Sequence, residues 1–316
     1  MEKIPQPLLD ESTLSGVLDK NLKKLSARLG VSLALRGDQL LLDGDPERIA
    51  FAKHYFETLR ELREKGHRLR EEDILIALDM LEEGAAPSAD GYAPAEPLNL
   101  SRKSVSPKSL NQQAYLQAIK ARDLVFGIGP AGTGKTYLAM AMALAFLQNK
   151  AVNRIILTRP AVEAGEKLGF LPGDLIQKIN PYLRPLYDAL FDLTQYEQAN
   201  RLIERGVIEI APLAFMRGRT LNSAFIILDE AQNTTREQMK MILTRAGFDS
   251  KLVITADITQ IDLPQPRKSG VLHAMKILAP LPEIAFIRFN DRDVVRHPLV
   301  QKIIKAYQKA EAKDDR

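Results

Sequence analysis

The chain has 316 residues, a length that suggests two domains, one of them large enough for a substantial core. It has no cysteine, which excludes disulfides, thiolate catalysis and Cys-based zinc sites, and its four histidines are too scattered to form a metal-ligand pattern. A net charge of +4 slightly favours an anionic partner such as nucleic acid. Because the first residues lack a signal-peptide pattern and no apolar run reaches membrane-spanning length, we expect a cytoplasmic protein that does not engage a membrane.

Residues 1–83 predict a small domain of order αββα. This order resembles a KH-like module, which would suit RNA, although the G-x-x-G loop that clamps the nucleic-acid backbone in KH domains is missing. The predicted elements are helices from Leu18 to Leu29, from Pro46 and over 71–83, and strands over 31–36 and 39–43. A basic cluster is either a phosphate-contacting surface or a solvated helix end: Arg60, Arg63, Lys65, His67, Arg68 and Arg70.

Residues 84–109 are predicted to form a linker, because they are rich in Gly, Pro and Ala and their first part shows no hydrophobic period. The basic end of this segment, residues 102–108, suits either a phosphate contact or a solvated linker end. We therefore expect the second domain to begin near residue 110.

Residues 110–316 alternate short apolar, β-prone runs with helical stretches. Such alternation predicts an α/β fold with a parallel sheet that helices cover on both faces. In such a sheet, ligands bind at the carboxyl ends of the strands. The predicted strands cover 123–128, 155–158, 207–210, 225–228, 252–255 and 284–288.

The most specific motif follows the first of these strands. It has the pattern G-x-x-x-x-G-K-[ST] of a phosphate-binding loop, set between a buried strand and a strong helix, which is the context that the pattern requires. In such a loop, backbone N–H groups and the helix N-terminus bind phosphate oxygens. Lys135 is placed to reach the β- and γ-phosphates, and Thr136 to offer its hydroxyl to Mg²⁺. The predicted phosphate-binding residues are Gly129, Pro130, Ala131, Gly132, Thr133, Gly134, Lys135 and Thr136.

Two adjacent acids end the apolar strand over 225–228. Asp229 is placed to hold Mg²⁺ through its water shell, and Glu230 to orient and activate the water that attacks the γ-phosphate. Because no acceptor pocket is evident, this pair favours hydrolysis over phosphate transfer to a small molecule. The sequence thus predicts a Mg²⁺-dependent nucleoside triphosphatase.

Three further positions complete the predicted site. After the strand over 252–255, the side chains of Asp257 and Gln260, like that of Thr255, are candidates to sense the γ-phosphate. Upstream of the loop, Gln112 is a candidate for paired hydrogen bonds to adenine, and Tyr115 for stacking on the base. The chain lacks the Asn-Lys-x-Asp motif that reads guanine, so ATP is favoured over GTP.

Several arginines are predicted at or near the ends of strands or helices. They are open to three roles: RNA contact, a charge-stabilising arginine supplied to a neighbouring subunit, or ordinary surface salt bridges. These residues are Arg159, Arg217, Arg219 and Arg245.

Together these motifs resemble the PhoH-like ATPases, in the form with a KH-like N-terminal domain, over essentially the whole chain. The core also resembles the first RecA-like domain of superfamily 1 helicases. The motifs that carry the resemblance are Asn111-Gln112-x-x-Tyr115, Gly129 to Thr136, Thr158-Arg-Pro160, Arg217-Gly-Arg-Thr220, Leu228-Asp-Glu-Ala-Gln-Asn233 and Asp257-x-x-Gln-x-Asp-Leu-Pro264.

The resemblance implies that Gln112 reads adenine, that Asp229 and Glu230 serve Mg²⁺ and water, and that Gln260 contacts the γ-phosphate. It also implies a P-loop ATPase that remodels or processes single-stranded RNA, a link to phosphate starvation, and a partnership with an endoribonuclease of ribosome maturation. Since the chain has one RecA-like core, the resemblance further implies a homo-oligomeric ring such as a hexamer, in which an arginine acts across subunits. One departure is Ala256, where relatives have glycine; the residue is still small, so we expect little effect.

Two other functions remain open at this point. The first is a nucleotide-dependent switch that binds a protein partner and never moves RNA. The second is a small-molecule kinase, which would need an acceptor site that the sequence does not show. Stimulation of ATP turnover by single-stranded RNA separates an RNA-remodelling ATPase from a switch.

Overall fold

The computed structural model describes residues 2–5, 20–37, 39–65, 67, 69–82, 96–160, 175–295, 299–300 and 303. The chain divides into two compact units. Unit 1 comprises Met1–Pro97 and Ser106–Leu110, and unit 2 comprises Leu98–Val105 and Asn111–Arg316. Within the described ranges, every helix is too short or too polar to traverse a lipid bilayer.

Unit 1 contains a three-stranded antiparallel sheet in the spatial order β1-β3-β2. The first strand corrects the predicted αββα order, because it precedes the first helix and pairs with β3, with Ile4 opposite Leu40. It has four residues, too few to show a period, and only its pairing reveals it. The elements are β1 (Glu2–Pro5), α1 (Lys20–Leu29), β2 (Val31–Arg36), β3 (Gln39–Gly44), α2 (Pro46–Glu64) and α3 (Glu71–Glu82).

The helix predicted from Pro46 is present and begins there. The side chain of Asp45 accepts a hydrogen bond from the Glu47 N–H at 2.9 Å, which caps the helix, and proline fits the first helical position. Tyr55 is completely buried in the core of unit 1, and its hydroxyl donates to the carbonyl of Ile74 at 2.8 Å. This bond ties α2 to α3.

The basic cluster of unit 1 is partly engaged by carboxylates of the same unit. Arg60 lies 3.6 Å from Glu64, and the Arg70 guanidinium lies 3.6 Å from Asp73. Arg68 lies outside the described residues. The assignment of unit 1 as a KH-like domain therefore stays a prediction, as does its role in RNA contact.

Unit 2 is built on a six-stranded sheet in the order β11-β6-β10-β9-β7-β8. All of its pairings are parallel, which confirms the predicted α/β fold with a parallel sheet. Each strand lies at a predicted run, with ends that differ by a residue or two. The strands are β6 (Leu124–Ile128), β7 (Arg154–Arg159), β8 (Ile208–Pro212), β9 (Ala224–Leu228), β10 (Lys251–Ala256) and β11 (Ile284–Arg288).

Helices cover both faces of this sheet. Along β7, Ile155 and Leu157 point into one core cluster and Ile156 into the other, because successive strand residues face opposite sides. The first cluster contains residues of α4 to α7, and the second contains residues of α8 and α9. These helices are α4 (Leu110–Ala121), α5 (Lys135–Gln148), α6 (Leu175–Leu193), α7 (Tyr196–Glu204), α8 (Arg236–Leu243) and α9 (Gly270–Leu278).

The end of the predicted linker contains ordered structure. Residues 98–105 form a small hairpin of β4 (Leu98–Asn99) and β5 (Ser104–Val105). The side chains of Leu98 and Val105 are buried in the first core cluster of unit 2. The part of the linker prediction that covers residues 84–95 lies outside the described residues.

The parallel sheet brings the candidate residues to one edge. The phosphate-binding loop follows β6, Asp229 follows β9 and Asp257 follows β10, and these three strands are neighbours in the sheet. Arg159 ends β7, which lies next to β9. Because the strands are parallel, all these chain positions meet at the carboxyl edge.

Candidate nucleotide-binding site

The phosphate-binding loop connects β6 to α5, the strand–loop–helix context that its motif requires. Three of its glycines have positive φ: +154° at Gly129, +85° at Gly132 and +82° at Gly134. A side chain at Gly129 would place its Cβ 2.6 Å from the carbonyl oxygen of Phe289. The loop therefore needs glycine to take this path, which turns backbone N–H groups toward one centre.

Lys135 is the first residue of α5 and is 8% exposed. Its ammonium donates to the loop carbonyls of Gly129 at 2.6 Å and Pro130 at 2.8 Å, and lies 3.4 Å from the hydroxyl oxygen of Thr133. The lysine thus lies across the loop. Its charge is held where the β- and γ-phosphates bind in a loop of this type.

Thr136 and Asp229 meet as a candidate Mg²⁺ site. The Thr136 hydroxyl donates to Asp229 Oδ1 at 2.6 Å, and the Thr255 hydroxyl donates to the same oxygen at 2.6 Å. Asp229 is 5% exposed, so these bonds hold its carboxylate in one orientation. One hydroxyl and one carboxylate fit Mg²⁺, which completes its octahedral shell with substrate phosphates and water.

Within the described ranges, no cluster of three or more His, Asp or Glu side chains is arranged to hold a metal ion. An ion at Thr136 and Asp229 would thus depend on nucleotide oxygens for its remaining ligands. This dependence predicts that metal and nucleotide bind together.

Glu230 has an unusual backbone conformation beside Asp229. It has φ +52° and ψ +40°, in the left-handed region that non-glycine residues rarely adopt. Its carboxylate accepts a hydrogen bond from Gln232 Nε2 and lies 3.5 Å from the Arg159 guanidinium. Burial raises the pKa of the Glu230 carboxyl, and the charge of Asp229 raises it further. A glutamate with these properties suits general-base catalysis.

Gln232 is a residue of the site to which the sequence assigned no role. It is completely buried, and its amide connects two neighbouring segments: Nε2 donates to Glu230, and Oε1 accepts the Asp257 N–H at 3.0 Å. Its position within the Leu228-Asp-Glu-Ala-Gln-Asn233 motif was visible in the sequence, but the burial of its side chain was not. Gln232 therefore positions the candidate base relative to the end of β10.

The two residues predicted to bind adenine are both buried. Gln112 is 3% exposed, and its Nε2 donates to the carbonyl of Thr133 at 3.0 Å, so its amide supports the phosphate-binding loop. Tyr115 is completely buried beneath β6, where its ring packs edge-to-face on Phe289 with centroids 5.3 Å apart. The structure therefore does not bring Tyr115 to the cleft, and the adenine contact of Gln112 stays a prediction.

A cleft of about 260 Å³ joins the predicted catalytic residues. Lys135, Asp229, Glu230 and Gln260 all line it, together with Ala256. Gln260 is exposed and follows a turn in which its N–H bonds to the carbonyl of Asp257 at 3.1 Å. The residues at the tip of β10 therefore face the place where a γ-phosphate would lie.

Asp257 is committed to the local fold. Its Oδ1 accepts from the Thr259 N–H at 3.0 Å and from the Thr259 hydroxyl at 2.6 Å, which caps the turn toward Gln260. Its other carboxylate oxygen is buried and forms no hydrogen bond with a described residue. Asp257 thus shapes the turn that presents Gln260.

The four candidate arginines have different surroundings. Arg159 lies beside Glu230 of its own chain, and its guanidinium also donates to the carbonyl of Tyr182 at 3.0 Å. Arg219 forms a bidentate pair with Glu209 at 2.6 and 2.7 Å. The Arg245 guanidinium donates to the Arg219 carbonyl at 3.1 Å. Arg217 is exposed and forms no ion pair with a described residue.

Comparisons with known proteins identify a family model and relatives that this chain matches. The family model described as PhoH-like protein matches residues 104–308. The "PhoH-like protein" of Bacillus subtilis (strain 168) is 49% identical over 310 residues, covering 98% of this chain and 97% of the relative. The "PhoH-like protein" of Mycobacterium tuberculosis (strain ATCC 25618 / H37Rv) is 52% identical over 303 residues, covering 94% of this chain and 85% of the relative.

The chain also has a distant similarity to a solved structure. The Sulfolobus solfataricus SWI2/SNF2 ATPase core in complex with dsDNA aligns with a TM-score of 0.39 and 11% identity, over 63% of this chain and 47% of that one.

Proposed function

The chain belongs to the PhoH-like protein family, and from the geometry of its cleft we propose that it is a Mg²⁺-dependent ATPase that couples hydrolysis to the remodelling or processing of single-stranded RNA. One observation carries the hydrolytic part of this proposal. The P-loop lysine, the Thr136–Asp229 pair and the half-buried Glu230, the proposed base, line one cleft at the carboxyl edge of the sheet.

Binding begins with the phosphate-binding loop. Lys135 exchanges its bonds to the carbonyls of Gly129 and Pro130 for phosphate oxygens, which neutralises part of their charge. Thr136 and Asp229 would hold Mg²⁺, which supplies charge neutralisation at the β- and γ-phosphates when bound. Asp229 is already oriented for this by the hydroxyls of Thr136 and Thr255.

Hydrolysis then requires a water aligned with the γ-phosphorus. Glu230 accepts a proton from this water while the oxygen of the water bonds to the γ-phosphorus. The bond between the γ-phosphorus and the oxygen that bridges it to the β-phosphorus breaks, which gives ADP and phosphate. The raised pKa of Glu230 makes it a stronger base than an exposed glutamate. Gln232 and Arg159 hold the carboxylate in place during this step.

The choice of RNA rests on the positive net charge and on the resemblance of the motifs to RNA-linked ATPases. The same resemblance supports a homo-oligomer, such as a hexamer, in which one arginine reaches a neighbouring site. Arg217 is the best candidate for this role, because the other candidate arginines bond within their own chain. The alternative is a nucleotide-dependent switch that binds a protein such as an endoribonuclease and leaves RNA unchanged.

Steady-state ATP hydrolysis, measured with and without single-stranded oligouridine, tests the proposal. We expect Mg²⁺-dependent turnover that RNA increases and that Lys135→Ala abolishes, while the surface variant Lys276→Ala behaves as wild type. Turnover that survives in Lys135→Ala would contradict the ATPase assignment. Turnover that depends on Lys135 but does not respond to RNA would favour the switch.

A further inference from the structure

Helix α8 lies on the surface of unit 2 between two grooves. The first groove, of about 510 Å³, runs between the start of α8 and the segment after β10, and is lined by Arg236, Leu263 and Lys268 among others. The second, of about 720 Å³, runs between α8 and the turn after β8, where Arg217 and Lys240 line it. Glu237 lines both grooves, so the two grooves meet at the first turn of this helix.

This surface is strongly basic. We define the α8 surface as the two grooves and the adjoining Arg267, and its cations are Arg217, Arg236, Lys240, Arg245, Arg267 and Lys268. Glu237 is the one carboxylate among the residues that line the grooves. With six cations and one carboxylate, the α8 surface has a net charge of +5, which is larger than the +4 of the whole chain.

Most of these cations are available to a ligand. Arg217, Arg236, Lys240, Arg267 and Lys268 are exposed. In the described part of the chain, none of these five forms an ion pair, unlike the nearby Arg219, which is fully paired with Glu209. Unpaired cations that line a groove attract a polyanion, because binding releases the counterions of its phosphates.

An exposed aromatic ring lies on the turn that forms one wall of the second groove. In the turn over Leu213–Met216, Leu213 and Met216 are buried while Phe215 is 45% exposed, so the turn directs the phenyl ring outward. Ala214 of the same turn lines the groove together with Arg217. A basic groove beside an aromatic platform is the arrangement that binds single strands, since bases stack on the ring while phosphates meet the cations.

The walls of the first groove continue from the nucleotide site. Asn233, just before α8, donates to Asp262 Oδ2 at 3.1 Å, and its side-chain oxygen accepts the Asp262 N–H at 2.8 Å. The Ser269 hydroxyl donates to the carbonyl of Gln232 at 2.7 Å. The segments that carry Glu230 and Gln260 are thus hydrogen-bonded to the walls of this groove.

We propose that the α8 surface is a binding site for single-stranded RNA, with phosphates along the two grooves and a base on Phe215. This inference rests on the proposed function, because it names the part of the ATPase domain that engages its RNA. The connection through Asn233 and Asp262 means that RNA at this surface alters the geometry of the cleft, which gives a route for stimulation of hydrolysis.

The test compares two variants of equal charge in the full chain. The first changes Arg236, Lys240, Arg267 and Lys268 to Gln. The control changes Lys150, Arg201, Arg205 and Lys276, which are exposed elsewhere on unit 2, to Gln. Arg217 is left intact because of its proposed role across subunits.

Binding of fluorescein-labelled oligouridine is measured over a range of salt concentrations. We expect the first variant to bind RNA at least about tenfold more weakly at low salt. It should also reduce the slope of log K, where K is the binding constant, against log[salt] by up to about 2.8, because each of four phosphates that is no longer neutralised removes about 0.7. The control keeps the wild-type slope, and both variants keep the basal ATPase rate. Phe215→Leu should weaken binding roughly fivefold or more without changing the slope.

Each other outcome overturns a defined part of the inference. If both charge variants lose the same affinity while RNA still stimulates hydrolysis, the α8 surface is not the site and the proposed function stands. If wild-type protein neither binds oligouridine nor responds to it, the RNA function and this site both fail. If the first variant loses polyglutamate binding as strongly as RNA binding and Phe215→Leu changes neither, the surface serves an acidic protein.

Discussion

Replacing Gln232 with Leu should separate the positioning of Glu230, the proposed catalytic base, from the stability of the fold. The change keeps a side chain of similar size but removes both amide hydrogen bonds, the one to Glu230 and the one from the Asp257 N–H. Because the site is completely buried, the Asp257 N–H is left without a partner. Such a group costs about 1–3 kcal/mol. At about 2–4 °C for each kcal/mol in a domain of this size, the unfolding temperature should fall by roughly 2–12 °C.

The kinetic consequence is specific to Glu230. Without the Gln232 N–H, the carboxylate is free to turn away from the attacking water, and a displacement of about 1 Å can cost about 10²-fold in rate. We expect kcat for ATP to fall about 10- to 100-fold, with KM nearly unchanged because the phosphate-binding loop is intact. The hydrogen bond from Gln232 lowers the pKa of Glu230, so its removal should raise this pKa. Because Glu230 must be ionised to act as a base, the acid limb of the profile of kcat against pH should then move to higher pH.

Ser250→Ala is the matched control. Ser250 is buried near the opposite end of the same sheet, where its hydroxyl accepts the Ala224 N–H at 3.1 Å. Its loss should reduce the unfolding temperature by a similar amount and leave kcat and the pH profile unchanged. The reasoning is refuted if Gln232→Leu lowers the unfolding temperature but keeps the wild-type kcat and acid limb, since Gln232 would then act only in the fold.

Four other changes test the rest of the site. Glu230→Gln should retain ATP binding, seen by calorimetry, and lower kcat about 10²-fold or more because the base is lost; loss of binding would mean that Glu230 is structural. Arg159→Gln removes a positive charge that lowers the pKa of Glu230, so the acid limb of kcat should move to higher pH, and an unmoved limb would exclude this contact in solution. Gly129→Ala should abolish ATP binding and lower the unfolding temperature, because its Cβ would meet a backbone carbonyl at 2.6 Å; normal affinity would show that the loop has another conformation. Mixing Lys135→Ala with Arg217→Ala protein should recover part of the activity if Arg217 acts across subunits, and no recovery would count against that role.

The parallel sheet and the phosphate-binding loop could be predicted because each depends on local patterns. The apolar runs at β6, β9 and β10 are interrupted by polar residues only at their ends, and such runs are typical of strands that are buried on both faces. The loop motif contains the glycines that its backbone conformation requires and the lysine, Lys135, that supplies its positive charge. The predicted roles of Thr136 and Asp229 follow once β6 and β9 are placed on the two sides of β10 in one parallel sheet.

What the sequence could not show are features set by distant contacts. β1 is a strand because it pairs with β3, and the hairpin over residues 98–105 is ordered because Leu98 and Val105 enter the core of unit 2. Tyr115 has the polar tip expected of a base-stacking residue, but the absence of a side chain at Gly127 lets its ring pack under β6 instead. Such outcomes depend on which surface an element meets, which a one-dimensional pattern does not encode.

Glu230 and Lys135 are held in the site in different ways, and the difference begins with the strained backbone of Glu230. A non-glycine residue in the left-handed region costs on the order of 1 kcal/mol or more, so the surrounding contacts must maintain it. Gln232 and Arg159 supply those contacts, and they aim the carboxylate before any phosphate is bound. Lys135 instead bonds to loop carbonyls that it must release for phosphate oxygens. The proposed base is thus held by side chains of the fold, whereas Lys135 is expected to exchange its partners when it binds phosphate.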